Sequence, residues 1–297
     1  MEQTPQTPIT KIPIPPNGEY IRREHITLEE ISQEAGLNLG TIDAETRGRL
    51  RLLHEKTATL KDERHAILLV KQFIENYEKN AEKKSFTIEE QRTVFLGTLL
   101  SDIGKTGPHG APLPVQKCIA EMYGIDIDLE PPAEIMTVQE FLGKFFLDDA
   151  KRRLGLLSLV KVTPEMTMRE FFKLHAKWTW SILKHAIGIP RDALVAAATH
   201  HVLEGVDPVG ILEVENTENH KKPRLKLSRA AKLVILLDKY DAARSRGKLN
   251  HKDAIARLRS TISRNLRSAP DGEFAQLITD MEIVFTDNTL YDKAALE

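Results

Sequence analysis

The sequence predicts an all-α fold in a single helical domain. Apolar residues recur at three- and four-residue spacing along nearly every long segment, and strand-like alternation is scarce. A Ser/Thr-x-x-Glu helix start also stands directly before an apolar run at Thr87.

Residues 1–19 are rich in Pro and Thr with little to bury, and read as an extended arm. A short helix runs from Thr27 to about Leu39 and ends at Gly36. Thr41 or Asp43 caps the next segment, TRGRLRLLHEKTATLKDERHAILLVKQFIENYEKN, strongly helical with no Gly or Pro after Gly48. The helix begun at Thr87 carries VFLGTLL. Gly104, Gly107, Pro108, Gly110, Pro112 and Pro114 then break the chain into a loop. VQKCIAEMYG and VQEFLGKFFLDDAKRRLGLL are helical and separated by a DLEPPAE turn. Thr163-Pro164-Glu165 opens MTMREFFKLHAKWTWSILKHAIG, closed by Gly188 and Pro190, and Asp192 caps ALVAAATHHVLEG. A polar stretch at about 213–227 is a loop or short hairpin. LSRAAKLVILLDKYDAARSRG, HKDAIARLRSTISRNLRS and DGEFAQLITDMEIVF complete the set. The boundaries drawn are 1–48 for the arm and its short helix, 49–286 for the main domain and 287–297 for a tail.

With 42 basic against 43 acidic residues, nothing in the bulk charge calls for nucleic acid or a membrane surface as partner. Cys118 is the sole cysteine, which excludes an intramolecular disulfide framework. The first residues lack the basic-then-apolar layout of a signal peptide, and no apolar run is long enough to span a bilayer. The expectation is a cytoplasmic protein.

Against this background the placement of ionisable residues stands out. His65 precedes Leu69 and Phe73 at four-residue steps. Asp102 follows Phe95 and Leu99, with Lys105 one turn beyond. His175 is surrounded by Phe171, Leu174, Trp178 and Ile182; His200 and His201 follow Leu194, Ala197 and Ala198; Asp238 follows Ala231, Val234 and Leu237. One histidine beside an apolar stripe is more often a core residue bonded to a carbonyl, and one Asp at a helix end a cap. Inward imidazoles and carboxylates on five helices are instead what a bundle uses to build a metal site, because a shared ion offsets the cost of burying all of them. His54, His109, His185, His220 and His251 lie in polar or loop contexts. Gly104-Lys105-Thr106 mimics the end of a P-loop, but Leu99 stands where that motif needs a glycine.

These residues resemble a known family. LLSDIGKTGP is similar to the LLHDIGKIGIP signature of HD-domain phosphohydrolases of the HD-GYP branch. TPEMTMREFFKLHAKWTWSIL, ALVAAATHHVLEG and AKLVILLDKYDAA resemble its downstream segments in order, and GEFAQLITDMEIVF its closing helix. The resemblance covers about residues 50–286, interrupted by a helical insertion at about 107–163. Three departures stand against it. Ser101 replaces the histidine of the His-Asp doublet; Val206-Asp207-Pro208-Val209 follows Glu204-Gly205 where Gly-Tyr-Pro is expected; Lys61 stands where some members carry a Glu for a third metal.

The resemblance implies a binuclear centre of Fe or Mn, with Zn as a further candidate. His65, Asp102 and Asp238 would hold one ion, His175, His200 and His201 the other, and Asp102 would bridge them. Water activated by the metals would attack phosphorus in line, Lys105 would face a non-bridging oxygen, and Glu204 would help bind substrate. The implied activity is a phosphodiesterase acting on cyclic di-GMP. Two alternatives stay open: a catalytically degenerate signalling protein that binds a dinucleotide or a protein partner, and a hydrolase of another phosphate ester.

Overall fold

The computed structural model describes residues 27–57, 59–79, 85–125, 134–210, 227–265 and 272–285. The Pro-rich arm, most of the DLEPPAE turn and of the polar stretch near 213–227, His220, the Lys61 side chain and the C-terminal tail lie outside them. Twelve α-helices and no strand occur among the described residues, so the fold is all-α. None of these helices is long and apolar enough to cross a membrane.

Helix α1 (Leu28–Glu34) begins with a capping box in which Thr27 and Glu30 satisfy each other's backbone N–H. Asp43 caps α2 (Ala44–Lys56), accepting from Thr46 N at 2.9 Å. The continuous segment expected here is broken: Thr57 is extended (φ −125°, ψ 164°) and its hydroxyl donates to Leu53 O at 2.7 Å, before α3 (Thr59–Lys79) resumes. A β-branched residue that satisfies a carbonyl of its own last turn ends the helix without Gly or Pro. Thr87 and Glu90 form the expected capping box of α4 (Ile88–Leu100).

A 3-10 turn, Ile103–Thr106, leads through the Gly/Pro loop to α5 (Leu113–Tyr123). The next expected helix divides into α6 (Val138–Phe145) and α7 (Ala150–Ser158), separated by a 3-10 turn at Leu147–Asp149. α8 (Met168–Leu183) is capped by Thr167 in a box with Glu170, four residues later than the Thr163 start expected. Main-chain bonds from Val138 N to Met166 O and from Met168 N to Met136 O (both 2.8 Å) tie the starts of α6 and α8 together. α9 (Arg191–Ala198) starts from Pro190, so Asp192 lies in its first turn and is not its cap. α10 (Arg229–Ser245), capped by Ser228, α11 (His251–Asn265) and α12 (Gly272–Val284) close the described chain.

Three apolar clusters hold these helices. One joins α3, α10, α11 and α12 around Phe73, Tyr240 and Phe285; the second joins α1, α2, α4, α8 and α9 around Ile31, Leu50 and Leu99. The third joins α5–α7 to the buried face of α8 through Phe141, Phe171 and Trp178. α4 lies between α9 and α10, and Gly97 permits this, since a Cβ there would sit 2.9 Å from Ala196 Cβ and 3.1 Å from Val234 Cγ2.

Candidate metal centre

The site forms where α8 and α10 meet the ends of α4 and α9. His175 is on α8 and Asp238 on α10, as expected. Asp102 lies just past α4, at the start of the 3-10 turn, and His200 and His201 just past α9. Helices were expected to carry Asp102, His200 and His201; turns carry them instead. The α9 helix stops because Thr199 leaves helical geometry (φ −101°, ψ 7°) and its hydroxyl donates to Val195 O at 2.7 Å.

The turn that holds Asp102 is locked to α8. Thr179 Oγ1 donates to Ser101 O (2.9 Å) and accepts from Gly104 N (3.1 Å). Gly104 must lack a side chain, because a Cβ would lie 1.9 Å from His175 O. That close approach accounts for a glycine here without any phosphate loop. The buried Arg49 guanidinium fixes the next residues by donating to Thr106 O (3.3 Å), Gly107 O (3.1 Å) and Pro108 O (2.9 Å).

Three imidazoles face one another. His175 Nε2 lies 3.1 Å from His200 Nε2 and 2.9 Å from His201 Nε2, and one nitrogen from each ring falls within 4.8 Å of the others. His175 Nδ1 is 2.5 Å from Phe172 O, and His200 Nδ1 is 2.6 Å from Ala197 O. A carbonyl can only accept, so both Nδ1 atoms carry the proton and a neutral ring presents its Nε2 lone pair to the centre. His201 Nδ1 contacts Glu204 Oε2, a carboxylate behind an imidazole. Burial, then the neighbouring imidazoles, lowers His175 and His200 to about 3 in spite of the nearby carboxylates, so both rings are neutral at pH 7.

An Asp–Lys pair flanks the trio on each side. Asp102 Oδ1 is 3.6 Å from His175 Nε2, while its Oδ2 is 2.7 Å from Lys105 Nζ. Asp238 Oδ2 pairs with Lys239 Nζ at 2.8 Å, and Lys239 also reaches Glu204 Oε1 at 3.0 Å and His201 Nδ1 at 2.8 Å. Burial opposes the charge on both aspartates, but Lys105 at Asp102 and Lys239 at Asp238, followed by the imidazoles, hold both well below the usual carboxylate range. Glu204 is lowered to about 2, its burial outweighed by His201 and Lys239. Burial would lower Lys239, yet Asp238 and Glu204 raise it. Asp102 acts on His175 and His200, and Asp238 on His200 and His201, so His200 feels the charge of both carboxylates.

His65 and Glu204 each have a partner of their own. The Nδ1 of His65 pairs with Asp241 Oδ1 at 2.8 Å, outside the imidazole trio. Glu204 is engaged by His201 and Lys239 and is a partner of the centre's own groups. Ser101 Oγ donates back to Thr98 O at 2.9 Å.

Sequence reasoning missed Lys239, Asp241 and Tyr123. Lys239 follows Asp238 directly on α10 and Asp241 lies one turn beyond it, a proximity that marks both as neighbours of the site without giving their contacts. Tyr123 comes from α5, inside the expected insertion. Its hydroxyl reaches Phe171 O (3.1 Å) and Phe172 O (3.2 Å), the latter also receiving His175 Nδ1–H, and its ring meets His175 edge-on at 5.9 Å. Of the histidines set aside, His109 and His185 stack at 4.4 Å, and His251 lies 2.9 Å from Tyr240 Oη.

Comparisons with protein-family models, with curated proteins and with solved structures return no match for this chain.

Proposed function

We propose that His175, His200 and His201 hold a divalent transition metal, and that the centre hydrolyses a phosphate ester in the manner of an HD-domain phosphodiesterase. One observation carries this reading. Two neutral imidazoles point bare Nε2 atoms at each other across 3.1 Å, a contact with no proton to share. A cation converts that repulsion into ligation. In a tetrahedral site with metal–nitrogen bonds of 2.0–2.1 Å, ligand nitrogens stand roughly 3.3 Å apart, close to the spacing here. The donor set fits the group: three neutral imidazoles, two with Nδ1 bonded to a main-chain carbonyl and one backed by Glu204. Imidazoles with carboxylates nearby suit Fe, Mn or Zn.

A bound ion of this kind supplies Lewis acidity and lowers the pKa of a water molecule. The remaining work falls to the chain. Asp102 offsets positive charge beside His175, and Lys105, partly exposed next to it, offers an ammonium to a phosphoryl oxygen. Arg49 and Thr179 hold the Asp102 turn in place, and Tyr123 braces His175 through the Phe172 carbonyl. Cyclic di-GMP is the substrate to test first, on the strength of the sequence resemblance.

A second reading, a protein that binds a dinucleotide or a partner without turnover, is favoured by Ser101 and by the missing Gly-Tyr-Pro element. The test is elemental analysis of purified protein together with turnover of cyclic di-GMP and of bis(p-nitrophenyl) phosphate. Metal with turnover of either supports the hydrolase; metal and cyclic di-GMP binding without turnover supports the second reading; no metal after reconstitution with Fe, Mn or Zn overturns both as metal proteins.

A further inference from the structure

Lys239 has an unusual address. It follows Asp238 directly, its side chain is only 9% exposed, and its ammonium bridges two carboxylates, Asp238 at 2.8 Å and Glu204 at 3.0 Å. Glu204 in turn holds His201. A charged lysine has three N–H donors and no lone pair, so it can neutralise carboxylates but cannot ligate a metal.

We infer that the Lys239 ammonium is the resident cation of a second subsite beside the imidazole trio, formed by Asp238 and Glu204, and that the centre therefore takes one metal ion and not two. The inference rests on the metal reading above and fixes its stoichiometry. A second divalent ion that recruited Asp238 would have to displace the ammonium or stand against a like charge. Asp102, the centre's other carboxylate, likewise has one oxygen on an ammonium, Oδ2 on Lys105 at 2.7 Å. Lys239 is built into α10, so this cation cannot dissociate or be removed by a chelator. Its carboxylate partner also orients the ligand His201, which makes Lys239 a positioning residue.

Equilibrium dialysis of chelator-stripped full chain against Co²⁺ up to millimolar concentration tests this, with the Co²⁺ absorption spectrum as a second readout. The wild type is expected to saturate at one equivalent. Lys239→Met, which keeps most of the stem and removes the charge, is expected to bind a second Co²⁺, and adding Asp238→Asn to it should abolish that second equivalent; Lys239→Arg should stay at one. Saturation of the wild type at two equivalents overturns the inference and leaves the metal reading intact. A Lys239→Met protein that stays at one also overturns it. Zero equivalents in the wild type overturns the metal reading itself. If Lys239→Met does not fold, the wild-type stoichiometry decides alone.

Discussion

His175 and His200 meet through Nε2 atoms 3.1 Å apart, and each has already committed its Nδ1 proton to a backbone carbonyl, Phe172 O or Ala197 O. The local backbone thus sets the tautomers, and the tautomers set what the centre wants. With both pKa values lowered to about 3, no proton relieves the contact at neutral pH. His201 adds a third nitrogen 2.9 Å from His175 Nε2.

The first expected consequence is that metal stabilises the fold. An ion that binds only the native state at a hundred times its Kd contributes about 2.7 kcal/mol. For a chain of this size that is a rise in Tm of roughly 4–5 °C over the chelator-treated protein. His200→Ala removes a ligand from the middle of the trio, so its Tm should not respond to added metal, although burial of the native ring makes the variant less stable at the outset. Scanning calorimetry with and without metal checks this, and an equal metal response in both proteins would sink it.

Gly104→Ala tests the packing that places Asp102. The added Cβ would meet His175 O at 1.9 Å and Thr179 N at 2.5 Å, main-chain atoms of a buried helix that cannot rotate away. Overpacking of this kind costs about 1–3 kcal/mol or more. The expected result is a lower denaturation midpoint together with weaker metal binding, since the displaced backbone carries His175. A P-loop role would predict little change in stability.

Glu90→Gln addresses the joint between α4 and α10. Glu90 pairs with Arg229 at 2.9 Å while closing the Thr87 capping box, and Arg229 stacks 3.9 Å over the Phe86 ring. Burial alone would raise the Glu90 pKa, but Arg229 and Thr87 lower it. A carboxyl lowered in the folded state stabilises above its unfolded pKa of 4.5, and that stability is lost as the pH falls through the folded value. Urea denaturation should show Glu90→Gln less stable by about 1–2 kcal/mol at pH 7, with the gap narrowing below pH 4.5. A gap independent of pH would mean that the ion pair is not its source.

The helices were legible because three- and four-residue apolar spacing is a local property, and Thr87-x-x-Glu90 marked a start for the same reason. Ends without Gly or Pro were not: the breaks at Thr57 and Thr199 come from hydroxyls returning to their own helix carbonyls. Thr163 looked like a start because Pro164 comes next, yet Thr167 with Glu170 satisfies two donors and takes the cap. In the site, His175, His200 and His201 could be read from their apolar neighbours. The enclosure of Lys239 could not, since a lysine next to an aspartate on a helix ordinarily reads as a solvated pair, and its contacts with His201 and Glu204 come from the distant turn after α9. Tyr123 was hidden by distance along the chain, and the partner of His65 Nδ1 proved to be Asp241, one turn past Asp238.

Asp102→Asn separates a working carboxylate from a structural one. Asp102 occupies the cap position of the 3-10 turn but makes no side-chain cap hydrogen bond, so a capping contribution is not there to lose. It does make the 2.7 Å pair with Lys105 and the 3.6 Å approach to His175 Nε2. The amide keeps the shape and removes the charge that offsets a cation on the trio. Loss of a charged neighbour to a metal ligand typically weakens binding 10–100-fold. The Lys105 pair is partly exposed, so its loss should cost only about 1 kcal/mol. The expected variant therefore unfolds near the wild-type midpoint but binds metal at least tenfold more weakly, measured by competition with a chromogenic chelator. Unchanged metal affinity with the same small stability loss would reduce Asp102 to the counter-ion of Lys105 and take the carboxylate out of the centre.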